Sequence, residues 1–193
     1  AAVAAGGATA GGIDPRVAAA QAGDRKAAAE LLAQLLPRLR NLIRYLVRGD
    51  QHVDDIAQEA LIAILRGLPT YRGEGSLGSW SDRIVARTAI GWVRRQRKIR
   101  EREQESFDPQ VLQARSEPPD AYTLRRQAVA RLDVLPYDQR HALVLHHVVG
   151  LSVPEIAAQL EAPLETIRSR LRIAHNKLRE LAGGEPGPSE VQS

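Results

Sequence analysis

Two clusters of cationic side chains are the residues of this 193-residue sequence that are best suited to a specific chemistry. The first places six Arg or Lys residues between Arg94 and Arg102, with Glu101 as the only acid among them. The second lies between Arg168 and Arg179. Cations packed so closely repel one another, and a polyanionic partner relieves that repulsion. Because guanidinium groups bind phosphates and guanine edges, the clusters indicate nucleic-acid binding, the alternative being solvated basic helix faces.

Other kinds of chemistry find little support in the residue patterns. His141, His146 and His147 lack the spacing of four residues that places two imidazoles on one helix face, and the chain has no cysteine. The glycine-rich segment 72–78 lacks the Lys-Ser/Thr end of a phosphate-binding P-loop. No nucleophile is paired with a base. We therefore expect no catalytic residue, no metal site and no cofactor.

The segments that carry the cationic clusters have the composition and periodicity of helices. Apolar residues make up 44% of the chain, but there are only two Trp, four Tyr and one Phe, so aliphatic residues must build any core. Many of these are good helix formers. Apolar positions recur every three to four residues in several segments, and no long segment alternates as a β-strand does. The sequence therefore predicts an all-α protein.

Breaks in the helical periodicity divide the chain into parts. Between 103 and 120 the periodicity fails and three prolines occur, which is typical of a linker. The expected parts are a disordered tail at 1–13, a first helical domain at 14–104, a flexible linker at 105–121, a second helical domain at 122–183 and a disordered tail at 184–193. Helices with recognisable caps or stops are expected at about 14–22, 24–48, 53–66, 79–102, 137–149 and 152–161.

The segment 150–181 has the pattern of a helix-turn-helix. Gly150 ends one helix, and Ser152 and Glu155 have the spacing of a capping box that starts the next one. After three residues a longer basic helix follows, with apolar residues at steps of four and three along one stripe. The first residues of such a second helix can reach base edges in the major groove. Response regulators and repressors share this pattern, so it does not identify the class by itself.

Several stretches resemble, in order and spacing, the extracytoplasmic-function (ECF) sigma factors of bacterial RNA polymerase. In the first domain they are DDIAQEA at 54–60, YRGEGSLGSW at 71–80 and RIVARTA at 83–89. In the second domain they are LPYDQR at 135–140, GLS at 150–152, EIA at 155–157 and IRSRL at 167–171. The resemblance implies a region 2-like bundle for the −10 promoter element and a region 4-like helix-turn-helix for the −35 element.

The resemblance also implies roles for particular residues. Contacts to the −35 element are expected from the second basic helix, at Glu165, Thr166, Arg168, Ser169 and Arg172. Contacts to the −10 element are expected from a loop and the first basic helix, at Tyr71, Arg72, Arg83, Arg87, Arg94, Arg95, Arg97 and Lys98. Docking on core polymerase is expected from an acidic helix start, at Asp54, Asp55, Gln58 and Glu59. Trp80 is expected to pack in the core, and Glu161 stands where the family often has glycine.

The partners that the resemblance implies are core RNA polymerase and promoter DNA. In the family, the β′ clamp helices and the β flap receive the sigma factor. An anti-sigma factor, often membrane-bound, holds such a protein inactive until an envelope or environmental stress releases it. No small-molecule substrate is implied. The expected location is the bacterial cytoplasm, with the anti-sigma factor holding the chain at the inner membrane.

Two other functions remain open on the residues alone. A conventional helix-turn-helix regulator with an N-terminal interaction domain explains the second domain equally well, but it leaves the cations between 94 and 102 without a role. Such a regulator binds a palindromic duplex as a dimer. A helical adaptor that binds only proteins is the other possibility. Such a chain would not bind DNA, and its binding to partners would not depend on the salt concentration.

Overall fold

The computed structural model describes residues 14–104 and 123–181 as two helical bundles, with no β-strand in these ranges. The prediction of an all-α fold is confirmed, while the predicted linker and tails lie outside the described residues. The N-terminal bundle consists of α1 (Pro15–Gln21), α2 (Arg25–Leu46), α3 (Val53–Gly67), a short 3₁₀ helix (Leu68–Thr70) and α4 (Leu77–Gln104). The C-terminal bundle consists of α5 (Thr123–Asp133), α6 (Tyr137–His147), α7 (Val153–Leu160) and α8 (Leu164–Leu181).

The helix α2 forms the centre of the N-terminal bundle. The carboxylate of Asp24 accepts hydrogen bonds from the backbone N–H groups of Lys26 at 2.8 Å and Ala27 at 3.1 Å, which satisfies donors that a helix start leaves unpaired. Pro37 lies on the exposed side and does not end the helix. The buried stripe that faces the other helices consists of Leu31, Leu35, Leu39, Leu42, Ile43 and Leu46.

A buried carboxylate ties α4 to α2. The side chain of Asp82 is buried, and its two oxygens accept hydrogen bonds from Nε of Arg38 at 2.9 and 3.1 Å. This hydrogen bonding raises the pKa of the Arg38 guanidinium above its ordinary value. A buried charge is tolerated only when it is paired, so Asp82 has to face Arg38. This contact fixes the rotation of α4 against α2 and hence the direction of its cationic face.

The helix-turn-helix is formed by α7 and α8. The hydroxyl and the backbone N–H of Ser152 donate to the Glu155 carboxylate at 2.7 and 2.8 Å, and the predicted capping box is present. These hydrogen bonds lower the pKa of Glu155 below its ordinary value. Gly150, with φ of 78°, provides the left-handed residue just before this start. The helix α7 therefore begins where the sequence predicts.

The turn between α7 and α8 contains a residue in an unusual conformation. Glu161 has φ of 51° and ψ of 47°, the left-handed region, and is the only non-glycine residue with positive φ in the described ranges. That conformation costs a residue with a Cβ atom about 1–2 kcal/mol. The backbone N–H of Ala162 nevertheless donates to the Ala157 carbonyl at 3.0 Å and closes α7. Glutamate in place of the family's frequent glycine therefore leaves the turn intact.

Candidate nucleic-acid and polymerase interfaces

One face of α8 is open to solvent. Buried aliphatic residues hold the opposite face against α6 and α7. The side chain of Arg168 is 63% exposed and pairs with Glu165 on the same helix. Arg170 is different, since its Nη2 donates to Asp138 at 2.8 Å and anchors α8 to α6. The residues expected at the −35 element all lie on α8, where Thr166 and Ser169 are half-buried and the others are exposed: Glu165, Thr166, Arg168, Ser169 and Arg172.

The helix α4 carries all but two of the residues expected at the −10 element. Three of its arginines contact the C-terminal bundle, and Arg95 contacts Glu59 of α3 at 2.9 and 3.0 Å. Arg87 and Lys98 are exposed, and no hydrogen bond or ion pair engages them within the described part of the chain. The residues that α4 contributes to the expected −10 site are Arg83, Arg87, Arg94, Arg95, Arg97 and Lys98.

The loop before α4 supplies the other two expected −10 residues, which have different surroundings. Arg72 is exposed. Tyr71 is 8% exposed, its hydroxyl donates to the Gly75 carbonyl at 2.8 Å, and its ring centroid lies 5.3 Å from that of Trp80. Trp80 packs against the core, as expected. In this conformation Tyr71 packs inside the loop and holds its backbone in place, while Arg72 faces solvent.

The exposed face of α3 combines acidic and apolar side chains. The residues expected to dock on polymerase, Asp54, Asp55, Gln58 and Glu59, are all exposed. Two exposed apolar residues, Ile62 (44%) and Leu65 (47%), continue the same stripe at steps of three and four residues. They were not expected from the sequence as site residues. The face is therefore a mixed surface of the kind that protein interfaces use.

The two bundles meet at an interface, here called the seam, that is centred on Arg140 of α6. The Arg140 side chain is fully buried, with Nε donating to the Tyr45 carbonyl at 2.7 Å and Nη2 to the carbonyls of Arg44 at 2.8 Å and Val47 at 2.9 Å. It also pairs with Asp133. The last carbonyls of a helix have no partner within it and carry partial negative charge, so Arg140 is the cap of α2.

Further contacts flank Arg140 in the seam. Nε2 of His141 is 3.0 Å from the Leu46 carbonyl, and burial lowers the pKa of this histidine to about 4. Arg48 donates to the Leu135 carbonyl at 2.7 Å and lies over the ring of Tyr137 at 4.9 Å. These contacts fix the end of α2 against the start of α6.

The cationic face of α4 also takes part in the seam. Nη2 of Arg94 donates to the Leu160 carbonyl at 2.7 Å, and its Nη1 lies 3.3 Å from Glu161. The remaining ion pairs between the bundles are Arg83–Glu155 at 3.3 Å and Arg97–Asp138 at 3.5 Å. A cleft of about 550 Å³ remains between α4 and α7, lined in part by Arg83, Arg87 and Gln159.

Two histidines of the C-terminal bundle lie close together outside the seam. Nε2 of His147 lies 2.8 Å from Nε2 of His175, and burial together with the neighbouring His175 and His146 lowers the pKa of His147. In the ranges 14–104 and 123–181, no group of three or more His, Cys, Asp or Glu residues is arranged to hold a metal ion. No helix in the same ranges is both long and apolar enough to cross a membrane.

Two family models match the chain, one for each bundle. Sigma-70 region 2 matches residues 31–99, and Sigma-70, region 4 matches residues 125–178. The solved sigma factor RpoE of Bartonella quintana, in complex with the anti-sigma factor NepR, is 22% identical, with a TM-score of 0.55 over 82% of this chain and 98% of that one. The solved CnrH, in complex with the cytosolic domain of CnrY, is 23% identical, with a TM-score of 0.52 over 88% and 96%. These structures share the fold.

Curated proteins show a closer relationship in sequence. The ECF RNA polymerase sigma-E factor of Escherichia coli K12 is 33% identical over 162 residues, which cover 78% of this chain and 84% of that protein. The RNA polymerase sigma-H factor of Pseudomonas aeruginosa is 32% identical over 161 residues, which cover 78% and 83%. With a basic helix in each bundle and both sigma-70 regions matched in order, the chain belongs to the ECF family of RNA polymerase sigma factors.

Proposed function

We propose that the chain binds core RNA polymerase and directs it to promoters that carry a −10 and a −35 element. The observation that carries the proposal is the presence of two basic helices, α4 and α8, in two bundles that match sigma-70 regions 2 and 4. A helix-turn-helix regulator needs only the second of these helices. In a sigma factor both helices have a ligand, since one binds the −10 element and the other binds the −35 element.

Each bundle has a distinct task in this function. The open face of α8 enters the major groove of the −35 element, where arginine can bond both acceptors of a guanine. The cations of α4 and the loop at Arg72 hold the −10 element, whose bases must leave the stack at a cost of a few kcal/mol. The acidic and apolar face of α3 docks on the clamp helices of the β′ subunit, and the region of α6 approaches the β flap.

We also propose control by an anti-sigma factor. Two solved relatives of the same fold are complexes with anti-sigma factors, NepR and the cytosolic domain of CnrY. The exposed face of α3, which this chain offers to polymerase, would be a surface that such a partner covers. The chain would then act in the cytoplasm, where the polymerase is, under the control of a stress signal that the anti-sigma factor receives.

The test is reconstitution of the purified chain with core RNA polymerase. Co-elution with core, and transcripts from a promoter library that share two spaced upstream motifs, are the expected results. A chain that does not bind core polymerase but binds a palindromic duplex tightly is a conventional regulator. A chain that binds proteins alone, with no salt-dependent binding to DNA, is an adaptor.

Alanine at Arg168 or Arg172 is expected to reduce use of the −35 motif by about 5- to 150-fold, because a good arginine–guanine contact contributes about 1–3 kcal/mol of discrimination. Multiple-round transcription from matched and −35-mutated templates measures this effect. The matched control is Arg179→Ala, which removes the same charge near the end of α8. If the three variants lose activity equally on all templates, α8 contributes charge and no sequence recognition.

A further inference from the structure

The loop at 71–76, which is expected to meet the −10 element, joins the short 3₁₀ helix to α4. Residues 72–76 are all exposed, and two of them, Gly73 and Gly75, have φ of 78° and 88°. Glycine leaves a backbone free to take many conformations. The direction in which Arg72 projects from this loop therefore depends on what holds the loop at its base.

The base of the loop is held by Gln21, the last residue of α1. Its Nε2 donates to the Leu68 carbonyl oxygen at 2.9 Å and to the Tyr71 carbonyl oxygen at 2.7 Å. An amide Nε2 carries two hydrogens, so each carbonyl receives one N–H. The Tyr71 carbonyl belongs to the planar peptide unit that joins Tyr71 to Arg72. The contact therefore fixes the peptide plane from which the exposed part of the loop starts.

Tyr71 carries this restraint to the other end of the loop. Its hydroxyl donates to the Gly75 carbonyl at 2.8 Å, and its ring packs against Trp80 of α4. One residue thus connects the start of the loop with its end, and Gln21 holds that residue by its backbone. Loss of the Gln21 amide would release the first peptide of the loop and, through Tyr71, the turn at Gly75.

The helix α1 places Gln21 beside the loop. Since a helix of seven residues is not stable in water by itself, contacts with the rest of the bundle must hold it. These are the packing of Val17, which is buried in the core, and a hydrogen bond of 3.1 Å from Arg16 to Gln34 of α2. The family resemblance assigns no role to α1, which precedes the matched residues 31–99.

We propose that Gln21 is a positioning residue for recognition of the −10 element. It acts through Tyr71 and sets the loop in the conformation that presents Arg72 to the promoter strand. The inference rests on the proposed function, because it adds a residue to the same −10 site. The residue type matters, since only a hydrogen-bond donor fits between two carbonyl oxygens. An apolar or anionic side chain of similar size cannot replace the amide.

The experiment measures base preference at each position of the −10 element, using the full chain, core polymerase and templates with one fixed −35 sequence. Gln21→Leu removes both N–H donors at similar volume, and Gln21→Glu keeps the shape but sets a carboxylate against the two carbonyls. We expect either variant to reduce the preference at one or more −10 positions about tenfold, because two hydrogen bonds at the base of the loop are lost. Core binding and the effect of −35 mutations should not change.

The matched control is Gln34→Leu, which removes a contact of α1 but none of the loop. Arg72→Ala should reduce the preference at the same positions as Gln21→Leu. The double variant should lose no more than the larger single loss, because both changes act on one loop. A merely destabilised chain would lose activity on all templates alike. The proposal is overturned by such a uniform loss, by an unaltered −10 preference in Gln21→Leu, or by losses that multiply in the double variant.

A second measurement follows the loop without polymerase. The chain has two tryptophans, so a Trp92→Phe background leaves Trp80, which packs against Tyr71, as the only indole. Quenching of Trp80 fluorescence by acrylamide should rise in Gln21→Leu and stay unchanged in Gln34→Leu, because only the first change loosens the loop beside the ring. Unchanged quenching in Gln21→Leu means that the amide does not hold the loop, and it overturns the proposal.

The two measurements together separate this inference from the proposed function. If promoters are used and Gln21→Leu loosens the loop but leaves the −10 preference intact, the sigma function stands and the positioning role is wrong. If core is not bound and no promoter is used, the proposed function is wrong and the positioning role falls with it. Quenching of Trp80 then still decides whether Gln21 holds the loop.

Discussion

Replacing Asp55 by lysine together with Ile62 by alanine is expected to weaken binding to core RNA polymerase by at least about 100-fold. Both side chains lie on the exposed face of α3, one acidic and one apolar. Truncation of a central interface residue costs about 2 kcal/mol or more, and a like charge placed in a complementary patch costs several. Since each 1.4 kcal/mol is tenfold, the two changes together exceed 100-fold. Competition with a labelled chain for core measures the loss.

The control for this variant is Glu30→Lys with Leu181→Ala, which makes the same kinds of change on exposed sites of α2 and α8. Asp55 favours the start of α3 by only about 0.3–1 kcal/mol, so the thermal midpoint should shift by a few degrees at most. If the control pair loses as much affinity as the α3 pair, or if the α3 pair binds normally, α3 is not the docking surface.

Helix starts and buried stripes were predictable because their causes are local. Asp24 and Ser152 cap the first turns of α2 and α7 through contacts within three residues. The stripe on α8 follows from a spacing of three and four residues, which any helix converts into one face. For the same reason the −35 candidates were placed together on α8. Their contacts with DNA stay a prediction.

The face of α3 that we propose as the docking surface for polymerase was only half predictable. The family resemblance pointed to the acids at the start of α3, but not to Ile62 and Leu65. The sequence did contain a sign of exposed apolar residues, because 61–65 is a run of five apolar residues. Such a run covers more than one helix face, so some of its side chains must lie on the solvent side. Which ones are exposed depends on the rotation of α3 against α2 and α4, which packing sets.

The seam could not be predicted from the sequence. Arg140 was identified as part of a family motif, yet three of its partners are carbonyl oxygens more than 90 residues away in the chain. Backbone carbonyls have no sequence signature, so nothing in the residue types pairs α6 with the end of α2.

Tyr71 illustrates the same limit at short range. An aromatic residue in a loop that is expected to bind DNA can stack on a base or on a neighbouring ring such as Trp80, and only the packing of the loop decides between them.

Acidification from pH 7 to pH 5 is expected to cost the chain about 2 kcal/mol of unfolding free energy through His141. Burial lowers the pKa of His141 from 6.5 to about 4 in the folded chain. The Leu46 carbonyl and Asp138 oppose this shift, because both favour the protonated ring. The unfolded chain therefore takes up a proton at pH values where the folded chain does not. The stabilisation by neutral His141 is complete above pH 6.5 and is lost as the pH falls to about 4, about 3 kcal/mol in all.

Urea unfolding at several pH values, with His141→Gln as the variant, checks this expectation. Glutamine keeps an N–H donor for the Leu46 carbonyl but does not titrate, so the slope of stability against pH between 7 and 5 should flatten. His52→Gln, at a histidine outside the seam, is the matched control. A flat profile in the unmodified chain would mean that water reaches His141 and that the seam is open in solution. The pH profile thus tests whether the two bundles meet at the seam in solution.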